Sequence, residues 1–313
     1  MSTAFVFPGQ GSQHLGMGKE LADAFACARE VFEEIDDALD QELSAIMWGD
    51  DPDALTLTEN AQPALMAVSL GVMAVLEREA GIKVGERAAF VAGHSLGEYS
   101  ALAAAGVFSL ADTARLLKTR GRAMQKAVPV GEGAMAALLG LDLEKSRAVA
   151  DEASRGGVCE IANDNAPGQV VLSGHKTAID RAVEIARTAG ARRAILLPVS
   201  APFHCSLMEP AARAMEAALG ETVMSAPAVP LIANISASPV TSPEAIREGL
   251  VAQVTGTVRW TESVGRLSGE GVDTLVELGA GKVLTGLARR INRDLEASAI
   301  GTPADIEAFL AAS

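Results

Sequence analysis

AGHSLGEYSA, residues Ala92–Ala101, contains Gly93-His94-Ser95-Leu96-Gly97, a G-x-S-x-G pattern. Glycines on both sides of a serine let a strand turn sharply into a helix, leaving the hydroxyl exposed for attack on a carbonyl. The pattern carries weight only in that setting. Here Ala88–Ala92 reads as a buried strand running into the turn, and the chain from Leu96 onward reads as a helix. Strand, glycine turn and helix in that order predict an α/β fold.

Working outward, Thr3–Phe7 is a second apolar strand that ends in the loop Pro8-Gly9-Gln10-Gly11-Ser12-Gln13, and Lys19–Asp40 reads as one helix. The uncharged run Ala61–Leu76 includes Gln62, Pro63 and Ser69 and falls short of the ~20 apolar residues that a membrane span needs, so it is expected to be a buried core helix. The texture changes at Pro129-Val130-Gly131-Glu132-Gly133. Beyond it come strand 134–139, helix 143–154, strands 158–163 and 169–173, helix 177–188 and strand 194–199, the β-α-β-β-α-β order of a ferredoxin-like unit. Strands 229–235 and 274–278 and a helix at 282–295 resume the first pattern. The expected architecture is an α/β-hydrolase-like domain with a parallel sheet, residues 1–128 and 200–313, into which a ferredoxin-like subdomain, residues 129–199, is inserted.

Composition removes several classes of function. The formal net charge is −14 and aromatic residues make up only 4% of the chain. Nucleic-acid binding needs basic stripes and stacking platforms, and anionic membranes repel the same charge, so neither partner is expected. MSTAFVFPGQ has no basic segment followed by an apolar run, and Cys27, Cys159 and Cys205 show neither C-x-x-C spacing nor an even number. Reduced thiols and a cytoplasmic location are the expectation.

A serine hydroxyl is a weak nucleophile and needs a base within hydrogen-bond reach. Four histidines are available. His94 adjoins the serine in a tight turn, where neighbouring side chains diverge, and is read as a packing residue. His14 can cap a helix, and His175 follows a strand of the inserted unit. His204, in Val199-Ser200-Ala201-Pro202-Phe203-His204-Cys205, lies where the chain returns to the large domain. Elimination favours His204 without deciding the matter.

Seven blocks, FPGQGSQ (7–13), GHSLGEYSA (93–101), RGRAMQ (120–125), NDNAPGQVVLSG (163–174), SAPFHCSLM (200–208), QVTGTVRW (253–260) and ELGAGKVLTGL (277–287), together resemble the malonyl-CoA:acyl carrier protein transacylases. These are stand-alone relatives of the acyltransferase domains in fatty-acid and polyketide synthases. The resemblance implies a Ser95–His204 dyad, with the imidazole oriented by a main-chain carbonyl near Gln253. It also implies an oxyanion hole from the backbone N–H groups of Gln10 and Leu96, and Arg120 as the grip on the malonyl carboxylate. Asp164 and Asp180 stand between serine and histidine, in the chain order of a hydrolase triad, but have no supporting motif. Asn165 is the better match to an asparagine near the acyl pocket, and Phe203 to a ring that selects malonyl over methylmalonyl; for Phe203, ordinary packing weighs equally.

The implied reaction is a ping-pong transfer from malonyl-CoA, through a malonyl-serine ester, to the phosphopantetheine thiol of acyl carrier protein. Fatty-acid or polyketide synthesis would use the product. No metal or bound cofactor is expected, the CoA thioester being substrate. Carrier proteins are acidic, as this chain is, so docking calls for a local basic patch: Lys118, Arg122 and Lys126, or Arg289, Arg290 and Arg293. A thioesterase sharing Ser95 and His204, and a non-catalytic carrier-binding module, are the alternatives.

Overall fold

The computed structural model describes residues 2–199 and 201–312. Met1, Ser200 and Ser313 lie outside the described residues, as therefore do the first residue of the SAPFHCSLM block and both outer ends of the expected large domain. Ten strands are present among the described residues: β1 (Thr3–Phe7), β2 (Phe90–Gly93), β3 (Gly133–Leu139), β4 (Cys159–Ala166), β5 (Gln169–His175), β6 (Arg193–Leu196), β7 (Leu231–Ile232), β8 (Pro239–Val240), β9 (Thr274–Leu278) and β10 (Glu296–Ile300).

They form two sheets. The larger has the order β10-β9-β1-β2-β7-β8, parallel throughout except where β8 pairs antiparallel with β7. The smaller, β4-β5-β3-β6, is antiparallel. The chain is thus a mixed α/β protein with a parallel-rich sheet and a separate antiparallel one. All five residues of β1 are buried, as expected of a central strand covered by helices on both faces. The helix Thr58–Ala80 has the length and composition to cross a bilayer, but 89% of its most apolar window is buried inside the protein. It is a core helix, longer at both ends than the apolar run suggests.

Register positions the functional end. Phe7 lies beside Gly93 in the β1–β2 pair, and His94 N–H donates to Phe7 O at 3.0 Å. The loop after β1 and the turn after β2 therefore meet at the carboxyl ends of neighbouring parallel strands, where open α/β sheets place their ligands.

The smaller sheet packs the helices Leu143–Ala153 and Lys176–Thr188 around Leu138, Val170, Leu172 and Ile179, while Met135 and Val171 on its other face join the main core. Its seam with the larger unit is hydrogen-bonded. Val258 N–H donates to Ala162 O, Asp164 N–H to Val258 O, and the Thr257 hydroxyl to Ile161 O.

Three expectations need correction. The Lys19–Asp40 helix is two helices, Lys19–Ala24 and Ala26–Leu39, because Phe25 is extended at φ −128° and ψ 122°. Strand 229–235 shrinks to Leu231–Ile232, since the chain turns back through Asn234–Ala237 to form β8. The helix expected to reach residue 295 ends at Ile291, and the edge strand β10 follows.

Candidate active site

Two close backbone approaches create the turn at Ser95. A Cβ on Gly93 would lie 1.9 Å from Gly97 O, and one on Gly97 would lie 2.2 Å from Phe7 O, so neither position accepts a side chain. Ser95 itself sits at φ 54° and His204 at φ 59°, left-handed values that cost ~1–3 kcal/mol each unless the surroundings hold them.

Those two residues meet. Ser95 Oγ is 2.8 Å from His204 Nε2, and His204 Nδ1 is 2.8 Å from the main-chain oxygen of Gln253. A carbonyl oxygen only accepts, so Nδ1 carries the ring proton and the bare Nε2 accepts from the serine hydroxyl. His204 is 4% exposed, and its pKa is pushed down to about 3, first by burial and then by the Arg120 charge. The imidazole is thereby held neutral and able to take a proton. Neither Asp164 nor Asp180 contacts it: Asp164 accepts from the Thr261 hydroxyl and Asp180 pairs with Lys176.

Arg120 lies on the helix Leu110–Ala127 and is 1% exposed. Its Nη1 donates to Gln62 Oε1 at 2.9 Å; its Nη2 donates to Gln253 Oε1 at 2.8 Å and to Ser95 Oγ at 3.1 Å. Every acceptor is a neutral oxygen. Among the described residues Nε has no hydrogen-bond partner, and the guanidinium lies 5.6 Å from the Tyr99 ring centroid. Burial lowers its pKa below the ordinary arginine value, yet an arginine remains charged. Among the described residues no carboxylate forms an ion pair with it, so a buried positive charge faces the Ser95 hydroxyl.

A cavity of about 530 Å³ opens on these groups. Gln10, Leu96, Arg120, Phe203 and His204 line it with Ser95, as do His94, Gln62 and Asn163. Among the described residues, neither Gln10 N–H nor Leu96 N–H has a protein acceptor. Asn165 does not line the cavity; its Oδ1 accepts from His94 Nε2 at 2.8 Å. His94 thus both lines the cavity and is fixed by packing and by Asn165.

Three polar side chains that support this arrangement escaped the motif reading. Glu98, 2% exposed, accepts from Gln253 Nε2 at 2.7 Å and from Asn234 N–H at 3.3 Å; burial raises its pKa to about 7 against the opposing hydrogen bonds and the Arg120 charge. Asn234, fully buried, bonds both sides of the serine turn. Gln62 holds Arg120. Each is a polar residue in a stretch that is otherwise apolar or buried, the one signal available in sequence.

Lys118, offered above as a docking residue, is 6% exposed and bonded to Glu59, Gln41 and Asn60. Arg122 pairs with Glu59 while remaining exposed.

The chain is similar to known proteins along nearly its whole length. Residues 4–300 match the acyl transferase domain family. The malonyl CoA-acyl carrier protein transacylase of Bacillus subtilis is 46% identical over 305 residues, 97% of this chain and 95% of the relative. The crystal structure of an acyl-carrier-protein-S-malonyltransferase from Bartonella henselae superposes with TM-score 0.97 at 58% identity, covering 100% of this chain and 99% of that one. A malonyl-transacylase solved in complex with a type II PKS acyl-carrier protein has TM-score 0.96 at 41% identity, with full coverage of both chains.

Proposed function

The chain belongs to the acyl transferase domain family, and we propose that it moves malonyl from malonyl-CoA to the phosphopantetheine thiol of an acyl carrier protein through an ester on Ser95. One observation carries the reading: a single hydroxyl oxygen, Ser95 Oγ, is shared by a neutral imidazole at 2.8 Å and a buried guanidinium at 3.1 Å. Nucleophile, base and anion-binding group converge on one point. An esterase acting on neutral acyl groups has no use for the third.

In the first half-reaction His204 Nε2 takes the hydroxyl proton as Oγ bonds to the thioester carbon. The N–H groups of Gln10 and Leu96 receive the developing oxyanion. Arg120 exchanges its neutral acceptors for the malonyl carboxylate, in the two parallel bonds that a planar guanidinium forms best. The carbon–sulfur bond breaks, and the imidazolium returns its proton to CoA. The second half runs the same steps in reverse with the carrier thiol, so CoA enters as substrate and leaves as product.

The larger unit is read as α/β-hydrolase-like, residues 1–128 and 200–313, and the antiparallel unit as a ferredoxin-like insertion, residues 129–199. The element order β-α-β-β-α-β from β3 to β6 supports the second assignment. Fatty-acid or polyketide synthesis in the cytoplasm is the setting that fits this activity.

Intact mass spectrometry with malonyl-CoA, before and after addition of phosphopantetheinylated carrier protein, tests the proposal. The expected result is a malonyl adduct on the enzyme, absent from Ser95→Ala, that passes to the carrier. Free malonate with an unmodified carrier identifies a hydrolase. No adduct at all identifies a binding module.

A further inference from the structure

We propose that Asn234 is a positioning residue that holds the Ser95 turn in its reactive geometry through the backbone on both sides of His94. Its Oδ1 accepts from Ser95 N–H at 2.7 Å, and its Nδ2 donates to Gly93 O at 2.6 Å. Gly93 is buried at the end of β2 and Ser95 half-buried just beyond it, so Asn234 bonds the backbone where the strand gives way to the turn. A backbone N–H can bond only the oxygen of the carboxamide, and a backbone C=O only its nitrogen, so the amide has one workable orientation.

The clamp is itself fixed. Asn234 N–H donates to Glu98, its carbonyl accepts from Arg259 N–H at 3.1 Å, and Gln253 Nε2 stands 3.4 Å from Oδ1. Asn234 has no hydrogen bond to Ser95 Oγ, His204 or Arg120, so it acts on the reacting oxygen only through the φ of 54° at Ser95 and the direction of the neighbouring Leu96 N–H. Without it, the half-buried Ser95 N–H loses its partner or the turn relaxes toward ordinary φ. Either outcome displaces Oγ from His204 Nε2, and ~1 Å of misplacement costs about a hundredfold in rate.

The inference rests on Ser95 as the nucleophile, and the experiment separates the two. Single-turnover malonyl-adduct formation and inactivation by phenylmethanesulfonyl fluoride, a serine reagent that needs neither Arg120 nor CoA, are measured on wild type, Asn234→Ala, Asn234→Asp and Ser95→Ala. Asn234→Ala should lose about a hundredfold in both reactions, with malonyl-CoA affinity, read by calorimetry in the Ser95→Ala background, within about threefold of wild type. Asn234→Asp gives the readout that a merely structural role would not move. An ionised aspartate accepts from Ser95 N–H but repels Gly93 O, whereas the protonated acid donates to it. The Asn234→Asp rate relative to wild type should therefore rise at least about tenfold from pH 8 to pH 5.5, since burial raises a carboxyl pKa into that range. Asn234→Ala within about threefold of wild type, or an Asn234→Asp ratio that is flat with pH, overturns the proposal. If Asn234→Ala does not fold, the Asn234→Asp profile decides alone. Persistence of the adduct in Ser95→Ala refutes the nucleophile assignment instead.

Discussion

Arg120→Ala should change what the protein accepts more than how fast it works. The guanidinium would give the malonyl carboxylate two charge-assisted hydrogen bonds, each worth ~1.5–3 kcal/mol, or ~3–6 kcal/mol together. Because the free protein already spends those donors on Gln62, Gln253 and Ser95, binding is an exchange and the lower end applies. About 3 kcal/mol at ~1.4 kcal/mol per decade is on the order of 150-fold. Acetyl-CoA has no carboxylate and escapes that loss. It gains slightly as well, because removing the cation relieves one of the two main causes depressing His204 and makes the imidazole a stronger base. The assay presents equal malonyl-CoA and acetyl-CoA to wild type and variant and counts the two Ser95 adducts by mass. The malonyl-to-acetyl ratio should fall at least about a hundredfold. Arg120→Lys, which keeps the charge but not the fork, should fall between the two. A ratio in Arg120→Ala within threefold of wild type would refute the assignment of Arg120 to the carboxylate. The variant also orphans Gln62 Oε1, so a lower Tm accompanies the change in selectivity without explaining it.

Four further outcomes follow from the same geometry. Unfolded His204 takes a proton below pH 6.5 while the folded residue stays neutral down to about 3, so this histidine costs stability as pH falls through that window, at ~1.4 kcal/mol per unit. Urea unfolding at pH 5 and pH 6 should therefore show His204→Asn gaining on wild type by about that amount at the lower pH, and equal differences at the two values would remove the basis for a neutral buried base. Gly93→Ala forces a Cβ to 1.9 Å from Gly97 O and should abolish adduct formation, a result contradicted by any variant acylating at half the wild-type rate. Phe203→Ser, which opens the cavity wall beside His204, should raise methylmalonyl relative to malonyl transfer by about 10- to 200-fold, the worth of one methyl group; an unchanged ratio leaves Phe203 as packing alone. Lys118→Glu sets a second carboxylate against Glu59 in a buried site and should lower Tm, whereas exposed Arg122→Glu should leave Tm nearly unchanged; equal effects would contradict the burial difference.

Legibility in the sequence followed how each residue acts. The serine turn could be read because its glycines answer a steric demand that no other residue meets, and the antiparallel unit because its strands and helices keep clean periods. The break at Phe25 carries no glycine or proline to announce it. The edge strand β10 mixes exposed, half-buried and buried positions, too short a pattern to be read as a strand from sequence. Asn163 and Asn165, two apart, share a face in a regular strand, so alternation could not tell them apart. The register shifts in β4 at Ile161/Asn163 and Asp164/Ala166 break that equivalence, placing Asn163 on the cavity and Asn165 on His94.

Groups that act through the main chain left the faintest trace. The oxygen that faces His204 Nδ1 belongs to Gln253, but as a backbone atom it would be present whatever the side chain. The side chain of Gln253 has separate work. It accepts from Arg120 and donates to Ser95 O and to Glu98, so the buried guanidinium, the serine turn and the residue facing the histidine are joined at one position. Ser95 and His204 are both held at left-handed φ, and the bonds that hold the serine come from Asn234 and Gln253, some 140 and 160 residues further along the chain. Strain of this kind persists only when the surroundings over-determine it. The local motif can therefore specify that the turn is sterically possible, while the fold as a whole decides that it is occupied.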